Sequence, residues 1–179
     1  SHGALRDGDL LIHSGQGQTI IGPGSGPLFD TAARQQLLAA LNAALPPASW
    51  QAEITQALWL KLAINAVINP LTALHQCRNG ELRQAHHQQQ ITLLVDELAL
   101  LYQRLQLGLT RPQLAQAING VIAATANNYS SMNRDLAAGR ETEIEAISGV
   151  LLRTAAEQGI ELPEHLRLYQ QICAASASM

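Results

Sequence analysis

Lysine is almost absent: Lys61 stands alone against ten arginines in 179 residues. Aromatics make up only 3%, while Ala, Leu and Gln are abundant, so the composition leans towards helix. Charge is sparse as well, at 14% charged residues and a net charge of −3. With the arginines scattered there is no basic stripe, which argues against nucleic acid and anionic membrane as partners. Cysteine is limited to Cys77 and Cys173, far apart in sequence, and nothing requires them to pair. A reducing, cytoplasmic setting is the expectation. No stretch approaches 18 uninterrupted apolar residues, so no membrane span is expected. The start of the chain lacks the basic and apolar regions of a signal peptide. It begins at Ser1, a few residues ahead of strand-like sequence, and reads as part of a longer protein. What is present is 47% hydrophobic residues, enough for one substantial core or one domain plus a piece of another.

The first fifty residues differ from the rest. Leu10 to His13 and Thr19 to Gly22 are short β-type runs flanking "SGQGQ", which reads as a hairpin. Phe29 to Leu45 is a predicted helix with Asp30 or Thr31 as N-cap, broken by "PPAS", and Trp50 to Glu53 is a predicted last strand. From about Thr55 only helical signals follow. Pro70 is expected to interrupt the opening helix, and "RNG" at Arg78 to Gly80 to make a turn. Gln88 to Leu107 reads as a long helix stopped by Gly108. Thr110 and Pro112 start another, to about Ala126. Thr142 to Glu145 reads as a capping box for a helix closed by Gly159, and Pro163 begins the last one. The expected division is 1–52, a mixed α/β piece, and 53–179, an all-helical domain.

"GQGQTIIGPGSGP" invites a phosphate-loop reading. The dinucleotide fingerprint needs glycine at positions one, three and six. Counted from Gly15 the sixth residue is Ile20, and from Gly22 it is Pro27. These are turn glycines, and the chain carries no nucleotide loop of that kind.

The richest signal is "LWLKLAINAVINPLTAL", Leu58 to Leu74. Steps of four turn a helix by about 40°, so Lys61, Asn65 and Asn69 share a narrow stripe. Apolar residues fill nearly all the rest, with Leu58 alone intruding. A thin polar seam on an otherwise buried helix suits a cleft wall, with apolar anchoring behind and directed donors in front. A sole lysine suits a place that wants a compact ammonium with an adjustable pKa. The other reading is a lysine stem snorkelling out of a core, and periodicity alone leaves both open.

A second polar group lies in "NNYSSMNRDLAAGRETEIEAISG". Asn128, Ser131 and Asp135 fall on one face if helical. Glu143 sits in an expected first turn, where the helix dipole favours a carboxylate with no ligand needed. His86 and His87 are adjacent and point about 100° apart, so they read as exposed residues, and no metal site is expected.

Together with "CRNGEL" and "GIELPEHLRLY", these runs resemble the C-terminal half of the ketopantoate reductase (2-dehydropantoate 2-reductase) family. The leading "SHGALRDGDLLIHSGQGQTIIGP" resembles the end of that family's nucleotide-binding domain. The family's glycine loop and an asparagine contacting cofactor and substrate are not in the sequence. The resemblance implies a mainly α fold. It comprises an all-helical domain like the 6-phosphogluconate dehydrogenase C-terminal domain, preceded by a β-hairpin and helix remnant of a Rossmann-type domain. It implies Lys61 as proton donor, with Asn65, Asn69, Asn79 and Ser131 binding a small 2-keto acid substrate. Glu143 and the backbone around Ala4 would meet NADPH, held mainly by the absent domain. Asn128 and Asp135 would support, and the helical domain would form a homodimer. Two other readings remain: a related NAD(P)H-dependent 2-keto acid reductase, and a non-catalytic helical dimerisation module.

Overall fold

Only two residues separate Asp7 from Leu10, and that spacing decides the pairing at the start of the chain. The computed structural model describes residues 3–7, 9–15, 17–24 and 30–177. In it β1 (Gly3–Asp7) and β2 (Leu10–Gly15) run antiparallel, with Asp7 opposite Leu10. The expected hairpin between Leu10–His13 and Thr19–Gly22 is therefore not formed. Two-residue connections are the commonest in hairpins, and β2 is taken by its nearer neighbour. β3 (Thr19–Ile21) instead pairs parallel with β4 (Ala48–Trp50). Parallel strands need a long crossover, and α1 (Thr31–Ala44) lies between them in sequence. Asp30 caps α1, accepting the Ala33 N–H at 2.7 Å. At its other end Asn42 accepts from the Ala48 N–H at 2.8 Å and donates to the Ala48 carbonyl at 2.9 Å, fixing the entry to β4. The last strand thus ends at Trp50, earlier than expected.

The chain divides into two compact units, Ser1–Ala57 and Leu58–Met179. From α2 (Ile54–His75) onward the described structure is helical, and the protein is mainly α. A 3₁₀ turn (Asn79–Arg83) leads to α3 (Ala85–Arg104), then α4 (Arg111–Ala124) and α5 (Ser131–Ala137). A π turn (Glu145–Gly149) runs into α6 (Val150–Glu157), and α7 (Pro163–Ala177) closes the domain. The core is aliphatic: Leu71, Leu94, Leu98, Ile118, Leu151 and Leu168 are all at most 1% exposed. Tyr102 is buried among them, its ring edge-on to Trp59 at 5.5 Å and its hydroxyl donating to the Trp59 carbonyl at 2.6 Å.

Three boundaries depart from the sequence pattern. Pro70 does not interrupt α2. It removes one N–H from the ladder, but residues 66–73 are all buried, and packing holds the helix through the gap. α3 ends at Arg104 and is closed by Gln106 rather than by Gly108. Gln106 adopts a φ of 54°, and the Leu107 N–H returns to the Tyr102 carbonyl at 3.1 Å, completing a Schellman stop without glycine. The Thr142–Glu145 capping box is not formed. Glu145 turns outward to accept from Tyr169 at 2.7 Å and to pair with Arg153, and the backbone opens into the π turn.

By length and composition α2 is able to cross a membrane, which the broken apolar runs concealed. Its central residues are packed into this fold instead, with half of the apolar window buried.

Candidate functional site

The seam of α2 grades from solvent to core. Lys61 is exposed, Asn65 is half-buried and Asn69 is 8% exposed. The ammonium is therefore not buried in this chain. Continuous burial of α2 begins beyond Ala63, and Leu58, one turn before Lys61, is itself exposed. Among the described residues, the side chains of Lys61, Asn65, Asn69, Ser131 and Glu143 hold no hydrogen bond or ion pair. Their donors and acceptors are uncommitted.

Two distant segments are stapled to the buried end of the seam. Thr72, one turn after Asn69, has its hydroxyl 2.7 Å from that of Ser130 and 2.7 Å from the Ile68 carbonyl. Ser130 caps α5 by accepting the Asn133 N–H at 3.1 Å, and Asn133 Nδ2 donates to the Thr72 carbonyl at 2.6 Å. All three are buried polar residues with partners, as burial demands. They bring Ser130, the residue before Ser131, against Thr72, one turn beyond Asn69. Sequence reasoning passed over Thr72, Ser130 and Asn133. The only local signal was the serine preceding a helical run; the contacts span some sixty residues.

Asn79 is brought in by the same segment. Its N–H donates to the Asn128 carbonyl at 2.9 Å, and the Gly80 N–H donates to the Ala126 carbonyl at 3.0 Å. Arg78 adds a bond to the Asn127 carbonyl at 2.8 Å, with its guanidinium over the Tyr129 ring. A Cβ on Gly80 would lie 2.7 Å from Ala126 Cβ, so glycine permits this approach. Asn79 itself is 7% exposed; Nδ2 donates to Thr125 Oγ1 at 2.8 Å, while Oδ1 is buried with no partner among the described residues.

Other expected residues lie differently. Asn128 precedes α5 rather than sharing its face with Ser131, because Ser130 starts the helix. Asp135 is paired with Arg140 at 2.8 Å. Glu143 is exposed beside the π turn, and among the described residues no hydrogen bond or ion pair joins it to Lys61. Ala4 lies in β1, its backbone opposite His13. His87 is buried rather than exposed, packed between the rings of His75 at 4.6 Å and His86 at 3.9 Å. The end of α2 meets the start of α3 there, a contact invisible to spacing along one helix. Burial first, then the charge of His75 and His86, lowers the pKa of His87, and Glu81 opposes them. Burial, then Glu81, pushes the Cys77 thiol up, which makes it a poor nucleophile. Both cysteines are free. Among the described residues no three His, Cys, Asp or Glu side chains are grouped to hold a metal ion.

What the arrangement offers chemically is one cation, several amides and hydroxyls, and a separate carboxylate, suited to a small oxygen-rich anion. Comparison with known proteins gives the family. Residues 53–176 match the family model described as ketopantoate reductase PanE/ApbA C terminal. The 2-dehydropantoate 2-reductase of Shigella flexneri is 43% identical over 178 residues, covering 96% of this chain and 55% of that protein. A D-mandelate dehydrogenase solved with NADH superposes with a TM-score of 0.86 at 22% identity, over 99% of this chain and 60% of that one. A ketopantoate reductase from Staphylococcus aureus, described as dimeric, gives 0.78 at 22% identity, over 99% and 60%. These two establish the fold alone. The chain spans about half the length of the curated relatives it matches. On the family match and the Shigella relative, the chain belongs to the ketopantoate reductase family and carries its helical C-terminal domain.

Proposed function

We propose that this chain is the substrate-binding part of an NADPH-dependent reductase converting 2-dehydropantoate to pantoate, a step in making pantothenate and coenzyme A. The observation that carries the reading is the uncommitted seam of Lys61, Asn65 and Asn69, whose buried end is bonded through Thr72 to Ser130, the residue before Ser131. Reducing a 2-keto acid needs a proton for the carbonyl oxygen and donors for the carboxylate. Lys61 polarises the carbonyl and protonates the developing alkoxide. Asn65, Asn69 and Ser131 donate to the remaining oxygens without adding charge. NADPH, when bound, supplies the hydride. In this reading Glu143 and the backbone around Ala4 meet the cofactor, residues 1–52 being the end of the nucleotide-binding domain and 53–179 the substrate domain.

The family match and the Shigella relative support the substrate, and the free thiols suit a cytoplasmic enzyme. Leu93 and Leu100, exposed two turns apart on α3, suit a homodimer contact, which light scattering tests. The functional test is NADPH oxidation by the chain joined to a nucleotide-binding half. Turnover on 2-dehydropantoate far exceeding that on smaller 2-keto acids supports the reading. Equal or greater turnover on a smaller keto acid replaces it with a related reductase, and none at all with a helical interaction module. The 179-residue chain by itself is expected to bind NADPH weakly and not to turn over.

A further inference from the structure

Asn79 carries a buried acceptor with nothing to accept from. Its Oδ1 has no partner among the described residues, although the side chain is 93% buried by the 7% exposure of the residue. Which end of the amide is left over follows from one proton. Thr125 Oγ1 donates its only hydrogen to the Val121 carbonyl, at 2.7 Å and one turn back along α4. Towards Asn79 it then presents a lone pair, and the Nδ2 end faces it at 2.8 Å. The carbonyl end is thereby the free one. The backbone cannot swing to undo this, because the N–H groups of Asn79 and Gly80 are both tied to residues 126–128 and Gly80 sits hard against Ala126. Leaving such an acceptor unpaired in the core is costly unless something supplies a donor.

We propose that Thr125 is a positioning residue that locks the Asn79 amide with its carbonyl oxygen presented to the ligand, so that this subsite takes a hydroxyl donor rather than a carboxylate. The proposal rests on the reading of Asn79 as part of the keto-acid site, and it adds a sense to that contact. Lys61, Asn65, Asn69 and Ser131 offer donors, whereas Asn79 is committed to accept. A carboxylate placed against it meets oxygen with oxygen. A hydroxyl on the body of the substrate satisfies it, and a 2-keto acid without that hydroxyl leaves it as orphaned as before.

The lock is tested in the 179-residue chain by NMR of the Asn79 side-chain amide, identified by its disappearance in Asn79→Ala. Thr125→Ser keeps the hydroxyl and Thr125→Val removes it at nearly constant shape. Slow solvent exchange of one Nδ2 proton is expected in the native and Thr125→Ser chains, accelerated about tenfold or more in Thr125→Val, the loss of one hydrogen bond. An exchange rate unchanged in Thr125→Val overturns the lock, and backbone shifts report whether that variant stays folded. In the chain joined to a nucleotide-binding half, Thr125→Val is expected to raise KM about tenfold for a hydroxyl-bearing 2-keto acid. It should leave KM for the matching acid without the hydroxyl, and kcat for both, within about threefold. Equal KM changes for the two acids overturn the hydroxyl assignment. Absence of turnover in the native protein instead refutes the keto-acid reading, and the exchange measurement then decides the lock alone.

Discussion

Thr72 and Ser130 stand 58 positions apart in sequence with their hydroxyl oxygens 2.7 Å apart in a buried pocket of the helical domain. That bond couples the end of the polar seam on α2 to the start of α5. One residue beyond Ser130 is Ser131, and one turn before Thr72 is Asn69. The proposed substrate contacts are therefore held by polar residues that do not themselves face solvent.

The tight approach of the 3₁₀ turn to residues 125–128 gives a first prediction. Gly80→Ala places a Cβ 2.7 Å from Ala126 Cβ and 2.9 Å from its backbone, so one segment must retreat. A stability loss of about 1–3 kcal/mol is expected in urea unfolding. The amides of Asn79 and Gly80 should also exchange faster with solvent than in the native chain. Native stability and exchange in the variant contradict the contact.

Glu97 on α3 holds the start of α7. One carboxylate oxygen accepts the Glu164 N–H at 2.7 Å, and the other accepts the His165 N–H at 3.1 Å and lies 2.7 Å from His165 Nδ1. Burial works against the charge, but these hydrogen bonds outweigh it and the carboxyl titrates below its usual range. Its stabilisation is then complete above the unfolded-state value of about 4.3 and is lost as pH falls through the folded-state value. Glu97→Ala should cost about 2–4 kcal/mol near neutrality. Because the native chain loses this contribution in acid, the gap between the two should narrow from pH 6 to pH 3.5. A gap independent of pH would show that the carboxylate is not what holds α7.

The packed histidines predict a second pH dependence. His87 is kept neutral by burial and by His75 and His86, so the folded state resists a proton that the unfolded chain accepts. Stability should fall as pH drops below about 6.5. His87→Phe, which fills similar space without titrating, should flatten the profile between pH 6.5 and 5. An unchanged slope in the variant would falsify the assignment to His87.

Much of this architecture could be read from local pattern, and the failures share a cause. The caps at Asp30 and Thr110, the start of α7 at Pro163 and the polar stripe of α2 follow from residues within one or two turns of each other. The glycines of "SGQGQ" signal a turn, but β2 pairs across the shorter connection on its other side, which local glycine content does not encode. Pro70 and Gln106 defeat local rules because buried packing and a backbone bond to Tyr102 override propensity. The burial of His87 and the bonds of Thr72, Thr125 and Asn133 arise between segments distant in the chain, and no periodicity encodes them.

The central claim is that the one lysine of the chain is the acid of the reaction. Lys61 is exposed and touches no hydrogen-bond partner among the described residues, so its removal should change stability by no more than about 0.5 kcal/mol. The decisive measurement is kcat for NADPH-dependent reduction of 2-dehydropantoate by Lys61→Ala, in the chain joined to its nucleotide-binding half. A fall of about a hundredfold or more with unfolding unchanged is what the account predicts; a kcat equal to that of the native protein contradicts it.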